Sequence, residues 1–123
     1  GGEAVQRAAA GVLELVQRRG DREDVAALLM EDHEGVDEDA LPEWWRWRVL
    51  VHAVLLAGAR TVTHATSFLD LYRELLEELV EDVDEGEAMQ RVVLLCVREV
   101  WAGSPWHAGL IVDLLMRRGL LRG

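Results

Sequence analysis

Few residues in this sequence have types and spacings that could support chemistry. One cysteine, Cys96, lies in an apolar run, and four histidines are scattered along the chain, at positions 33, 52, 64 and 107. Zinc and di-iron sites on helices need His or Glu partners three or four residues from a histidine, and none of the four has one. A thiol among apolar neighbours has a raised pKa and is a poor nucleophile. We therefore expect no metal site, no cofactor and no enzymatic activity.

The segment from Asp82 to Gly86 superficially resembles a calcium-binding loop. Its glycine comes one position too early, and Val93 stands where a bidentate glutamate is required. Neither a glycine-rich phosphate loop nor a GxSxG nucleophile motif occurs. The many paired carboxylates lie on stretches that we expect to be solvated, so an acid and base pair is not indicated.

Charge is distributed unevenly over the 123 residues, whose formal net charge is −10. Residues 31–43 hold seven acidic residues and 74–87 hold eight, and neither segment contains an arginine. Ordinary solubilising charge explains this pattern, but so does an acidic end that steers a basic protein partner into contact. Direct nucleic-acid binding is not expected, because phosphate contacts need clusters of basic residues. The candidate partner-binding residues in the acidic segments are Glu34, Asp37, Asp39, Glu81, Asp82 and Asp84.

Apolar residues recur with helical spacing, and no alternating strand pattern occurs. The pattern predicts an all-α fold of six helices, with Gly20 as a left-handed stop after the first helix, Gly119 as the end of the last and Thr63 as the N-cap of the fourth. The expected helices cover about 3–19, 22–31, 42–60, 64–81, 87–102 and 105–118.

The connections between these helices are short except for the acidic loop at 31–41. Neighbouring helices should therefore be antiparallel, which gives three stacked hairpins of the HEAT or armadillo type in a single domain over residues 1–123. In such a stack both acidic segments lie at one end. The other end collects four arginines, namely Arg18, Arg19, Arg22 and Arg60.

Aromatic and apolar residues suggest two further features. Trp44, Trp45 and Trp47 are predicted mainly to anchor the core, with an aromatic stacking site as the alternative. The sixth helix has two apolar faces. Ala108, Ile111, Val112 and Leu115 should enter the core, while Trp106, Leu110 and Leu114 should stay partly exposed, where a further hairpin or a second copy of the chain would stack.

Two blocks of the chain resemble a known family. The first runs from Val49 to Ala57 and continues through Thr63-His64-Ala65-Thr66-Ser67-Phe68, and the second joins Glu99-Val100-Trp101 to the segment 110–117. Together they resemble the third helical-repeat domain of the large subunit of the nuclear cap-binding complex, which is similar to the middle domain of translation initiation factor 4G. The family domain continues with further helices, so we expect this chain to be a fragment of a longer helical domain. Unlike the family, it has arginine at every basic position.

The resemblance implies a non-enzymatic scaffold in the nucleus. Its partner would be a small, basic subunit of the RNA-recognition type that itself grips the messenger RNA cap. Two alternatives remain open at this point, a synthetic or orphan helical-repeat domain without a native partner, and a weak RNA binder acting through the arginine-rich end.

A location inside the cell and off the membrane is expected. The longest apolar stretch, 49–59, is 11 residues and includes His52, whereas a membrane span needs about 20. No basic segment followed by an apolar one opens the chain, so export is not indicated.

Overall fold

A computed structural model of the chain describes residues 2–31, 33–81, 83 and 86–121. Within these residues there is no β-strand, and one short 3-10 helix, Glu38–Ala40, interrupts the acidic connection. The all-α class and the six predicted helices are confirmed. The helices are α1 (Gly2–Gln17), α2 (Arg22–Met30), α3 (Trp45–Ala57), α4 (Val62–Glu78), α5 (Gly86–Val100) and α6 (Pro105–Arg117).

The helices form two layers of three. In the first layer α3 packs against α1 on one side and α5 on the other, and in the second layer α4 lies between α2 and α6. Each consecutive pair, α1 with α2, α3 with α4 and α5 with α6, also packs across the two layers. This is the arrangement of stacked helical hairpins that the sequence predicts, since each hairpin buries its apolar face against the next.

The centre of the stack is α3. It is apolar on nearly all sides, as a helix with neighbours in both layers must be. The residues of α3 that are buried are Trp45, Trp47, Val49, Leu50, Val51, Ala53, Val54 and Leu55.

Side-chain contacts show that α3 and α5 run in the same direction. The Arg48 guanidinium lies beside the Cys96 thiol, and one turn further along both helices the His52 Nε2 atom lies 3.7 Å from a carboxylate oxygen of Glu99. The starts of α3 and α5, and with them the ends of α2 and α4, therefore lie at the same end of the stack. The described acidic residues of the two connections therefore belong to one end of the stack, as predicted. Residues 32, 82, 84 and 85 lie outside the described part of the chain.

The stop after α1 differs from the prediction. Arg19, not Gly20, takes the left-handed conformation, with φ of 55°, while Gly119, where α6 ends as predicted, is left-handed with φ of 76°. Gly20 is needed for space, since a Cβ atom there would lie 2.5 Å from the Leu15 side chain. A glycine at a helix end indicates either that a Cβ atom has no room or that the residue is left-handed, but the sequence does not say which of the two applies.

The N-cap of α4 was also predicted at the wrong threonine. Thr61 is the cap, and its hydroxyl accepts a hydrogen bond from the backbone N–H of His64 at 3.1 Å. Thr63 lies within the first turn. Two threonines two residues apart satisfy the same capping preference, and the earlier one is used because α3 already ends at Ala57. Directly after α3 ends, Gly58 approaches α4 so closely that a Cβ atom on it would lie 2.6 Å from the Ala65 Cα.

Candidate docking surfaces

The first acidic connection is held in place by its own hydrogen bonds. The Asp37 carboxylate accepts a hydrogen bond from the Asp39 backbone N–H at 3.2 Å and caps the 3-10 helix. Glu38 pairs with Arg46 of α3, whose Nε donates to the carbonyl oxygen of Leu29 at 2.8 Å. The connection is thereby fixed to the end of α2 and the start of α3. The predicted binding residues Glu34, Asp37 and Asp39 are all exposed on it.

The second acidic region continues from α4. Four glutamates, namely Glu74, Glu77, Glu78 and Glu81, line a shallow depression of about 420 Å³ on the outside of the helix. Glu74 pairs with Arg22, and the Glu77 carboxylate lies 3.1 Å from the Arg73 Nε. Predicted binding residue Glu81 is exposed here, while Asp82 and Asp84 lie outside the described residues.

The two faces of α6 divide as predicted. Ile111 and Leu115 are each 1% exposed in the core, whereas Trp106 is 74% exposed and Leu110 38%. Leu114 is half-buried. The exposed face is therefore a row of three residues spaced by four, which we call the α6 row: Trp106, Leu110 and Leu114.

One end of the α6 row is located by an ion pair. Arg118 follows Leu114 by four residues and so continues the row, and its guanidinium lies 3.4 Å from the carboxylate of Asp70 in α4. The Leu114 end of the α6 row therefore lies toward α4, within the second layer. Spacing by four identifies a row on a helix, but not which neighbour lies beside it.

A groove in the first layer was missed by sequence reasoning. It has a volume of about 470 Å³ and lies where α1, the start of α3 and the end of α5 meet. Trp44 lines the groove half-buried, and in the described structure its buried Nε1 atom has no hydrogen-bond partner. Trp45 and Trp47 are buried, which confirms their role as core anchors. The sequence signal for the groove was Trp44, because one of three closely spaced tryptophans need not enter the core. Only the packing of the helices decides which of the three lines the groove. Its lining is Val5, Gln6, Ala9, Leu41, Pro42, Trp44, Trp45, Arg48, Val49, His52 and Glu99.

The single thiol of the chain is buried and protonated. Burial raises the pKa of the Cys96 thiol to about 11, which keeps it protonated and unreactive. No group of three His, Cys, Asp or Glu side chains within the described ranges is placed to hold a metal ion. Nor does any helix in that part of the chain have the length and apolar character to cross a bilayer.

Comparison with known proteins gives one match. The family model described as MIF4G like matches residues 3–123, which is nearly the whole chain. No curated protein and no solved structure matches. MIF4G-like domains are helical scaffolds for protein and RNA-related interactions and are not enzymes. The chain therefore belongs to the MIF4G-like family, whose helical domain is the one found in the large subunit of the cap-binding complex.

Proposed function

We propose that this chain is a protein-interaction scaffold that acts as part of a nuclear cap-binding complex large subunit. In that role it holds a small RNA-binding subunit and so supports cap recognition and RNA processing in the nucleus. The observation that carries the proposal is the family match over residues 3–123, together with the matching two-layer helical stack.

The charge of the chain supports a basic partner. The net charge is −10, and exposed carboxylates of both acidic regions belong to the end of the stack where the hairpins are joined. Opposite charges at an interface raise the association rate and select against partners of like charge, and both effects weaken as salt rises. A small RNA-recognition-type subunit with basic flanks has the charge that this end favours.

Binding of that subunit is the direct test. The purified chain would be immobilised, and a basic RNA-recognition-motif subunit of a nuclear cap-binding complex would be passed over it at about 50 mM and 300 mM salt. We expect saturable binding whose association rate falls at the higher salt. Replacing the three exposed acids Glu34, Asp37 and Asp39 with their amides should slow association further. Matched amide substitutions on the first layer, at Glu3, Glu14 and Glu99, should not.

Two outcomes contradict the proposal. Absence of binding at low salt removes the scaffold role with this class of partner and leaves the orphan helical-repeat hypothesis. Binding of labelled single-stranded RNA by the chain alone, with a steep salt dependence, favours instead a weak RNA binder acting through the arginine-rich end.

A further inference from the structure

We infer that the outer surface of α4 and α6 binds a helical segment of a partner protein that is apolar in one half and basic in the other. This inference rests on the proposed scaffold function and names the surface and the partner chemistry within it. Three observations carry it: the exposed α6 row, an acidic row on α4, and the ion pair where the two rows meet.

The apolar half of the surface is the α6 row. Trp106 is the most exposed large apolar residue in the described structure, and Leu110 is also exposed, so their side chains are open to a partner. Tryptophan residues that become buried on binding contribute much of the affinity of protein interfaces. Trp106 and Leu114 are eight residues apart on one helix, a distance of about 12 Å.

The acidic half lies on α4. Asp70, Glu74 and Glu78 are spaced by four and form one exposed row, which also spans about 12 Å. Asp70 is the residue that Arg118 of α6 reaches, at 3.4 Å. The α6 row and the α4 row therefore meet end to end at this ion pair and form one track, apolar at the Trp106 end and acidic at the Glu78 end.

The acidic half keeps negative charge to offer a partner. Glu74 and Asp70 are paired with arginines, but in the described part of the chain no basic side chain forms a salt bridge with Glu78 or Glu81. These two carboxylates are exposed at the end of the track.

The shape and charge of the track select its occupant. The track follows two adjacent helices of one layer, and an amphipathic helix that lies along such helices is a common mode of peptide recognition. A second copy of this chain would add its own net charge of −10 to the glutamates of α4, so electrostatic repulsion disfavours it. Nucleic acid is disfavoured by the same argument. A segment with large apolar side chains in one half and arginine or lysine in the other matches the charge of the track.

Synthetic peptides test the surface without knowledge of the natural partner. Two 18-residue helical peptides would carry leucines spaced by four in one half and arginines in the other, in the two possible orders, with a fluorescent label and no tryptophan. Binding would be followed by anisotropy. We expect at least one order to bind, with affinity that falls as salt rises, and we expect a peptide with glutamine in place of arginine to bind at least tenfold more weakly.

Variants of the chain locate the binding. Leu110→Ser should weaken the peptide at least tenfold, and the double variant Glu78→Gln with Glu81→Gln should weaken it several-fold and flatten its salt dependence. The matched controls lie on the first layer. Leu95→Ser, at a leucine 50% exposed on α5, and the pair Glu3→Gln with Glu14→Gln should leave binding within twofold. Binding should also shift the tryptophan emission to the blue, and Trp106→Phe should abolish that shift.

Several results would overturn the inference: no peptide binding, unchanged binding by Leu110→Ser, or equal weakening by the first-layer controls. A concentration-dependent dimer that Leu110→Ser abolishes would assign the surface to a second copy instead.

The outcome for the proposed function is separate. A small subunit that binds the chain equally well after the α4 and α6 substitutions keeps the scaffold role but overturns this surface. Peptide binding without subunit binding keeps the surface and overturns that role.

Discussion

Helices α3 and α6 are similar in length and composition and different in environment. Each has 13 residues and one histidine, and each is rich in large apolar side chains, with two tryptophans in α3 and one in α6. Eight residues of α3 are buried, but only Ile111 and Leu115 are buried in α6. The difference arises because α3 lies between α1 and α5 and packs on α4, whereas α6 packs only on α4 and α5. Position in the stack, and not helix composition, decides which apolar residues remain available to a partner.

The largest expected contrast in stability is between variants of Leu50 in α3 and Leu110 in α6, which hold the same position in helices of equal length. Leu50→Ala in α3 should lower the free energy of unfolding by about 2–5 kcal/mol, because Leu50 is fully buried and its removal leaves a cavity. Leu110→Ala in α6 should cost about 0.5 kcal/mol or less. Urea denaturation followed by circular dichroism measures both. Equal losses would show that α6 is covered in solution.

The glycines of the two helices should respond with opposite signs. Gly58→Ala should cost about 1–3 kcal/mol, because the added Cβ would lie 2.6 Å from the Ala65 Cα where α3 and α4 meet. Gly109→Ala lies inside α6 with nothing within 4 Å of the new Cβ. It should stabilise the protein by about 0.5–1 kcal/mol, since alanine loses less backbone entropy in a helix than glycine does. Thermal melts of the two variants compare them, and a stabilising Gly58→Ala would contradict the close approach.

The N-caps of α4 and α6 provide a smaller contrast. The Thr61 hydroxyl accepts the backbone N–H of His64, whereas the Ser104 side chain makes no such capping bond and contacts the ring Nδ1 of His107 instead. Thr61→Ala should therefore cost about 1 kcal/mol. Ser104→Ala should cost only about a few tenths of that. The comparison fails if the serine variant is the less stable of the two in urea denaturation.

The buried Cys96 thiol, on the side of α5 that faces α3, should affect stability only at alkaline pH. Burial raises the pKa of the Cys96 thiol from 9.0 to about 11, so the unfolded chain loses this proton before the folded one does. The contribution of the thiol to stability is then complete below pH 9 and is lost as the pH rises through 11. Urea midpoints from pH 8 to pH 11 should fall less steeply in Cys96→Ala than in the parent chain. Tyr72, whose pKa burial also raises, titrates equally in both proteins and serves as the common background.

Much of the fold could be predicted because apolar periodicity is a local property. The six helices, the central place of α3 and the two faces of α6 all follow from spacing along one helix. The turns could not be predicted to the residue. Thr61 and Thr63 satisfy the same cap, and only the length of α3 chooses between them. Gly20 indicated a tight turn, but Arg19 adopts the left-handed conformation there.

The candidate surfaces were predictable in kind but not in arrangement. The sequence determined an acidic, all-helical scaffold with an exposed apolar row on its last helix, because charge, helical period and family resemblance are read residue by residue. Only the tertiary structure decided that this row runs toward α4 and meets Asp70 through Arg118, and that Trp44 lines a groove while Trp45 and Trp47 are buried. The physical reason is that a residue's spacing fixes its direction about its own helix axis, whereas its neighbour is fixed by how separate helices pack, through contacts between residues far apart in the chain.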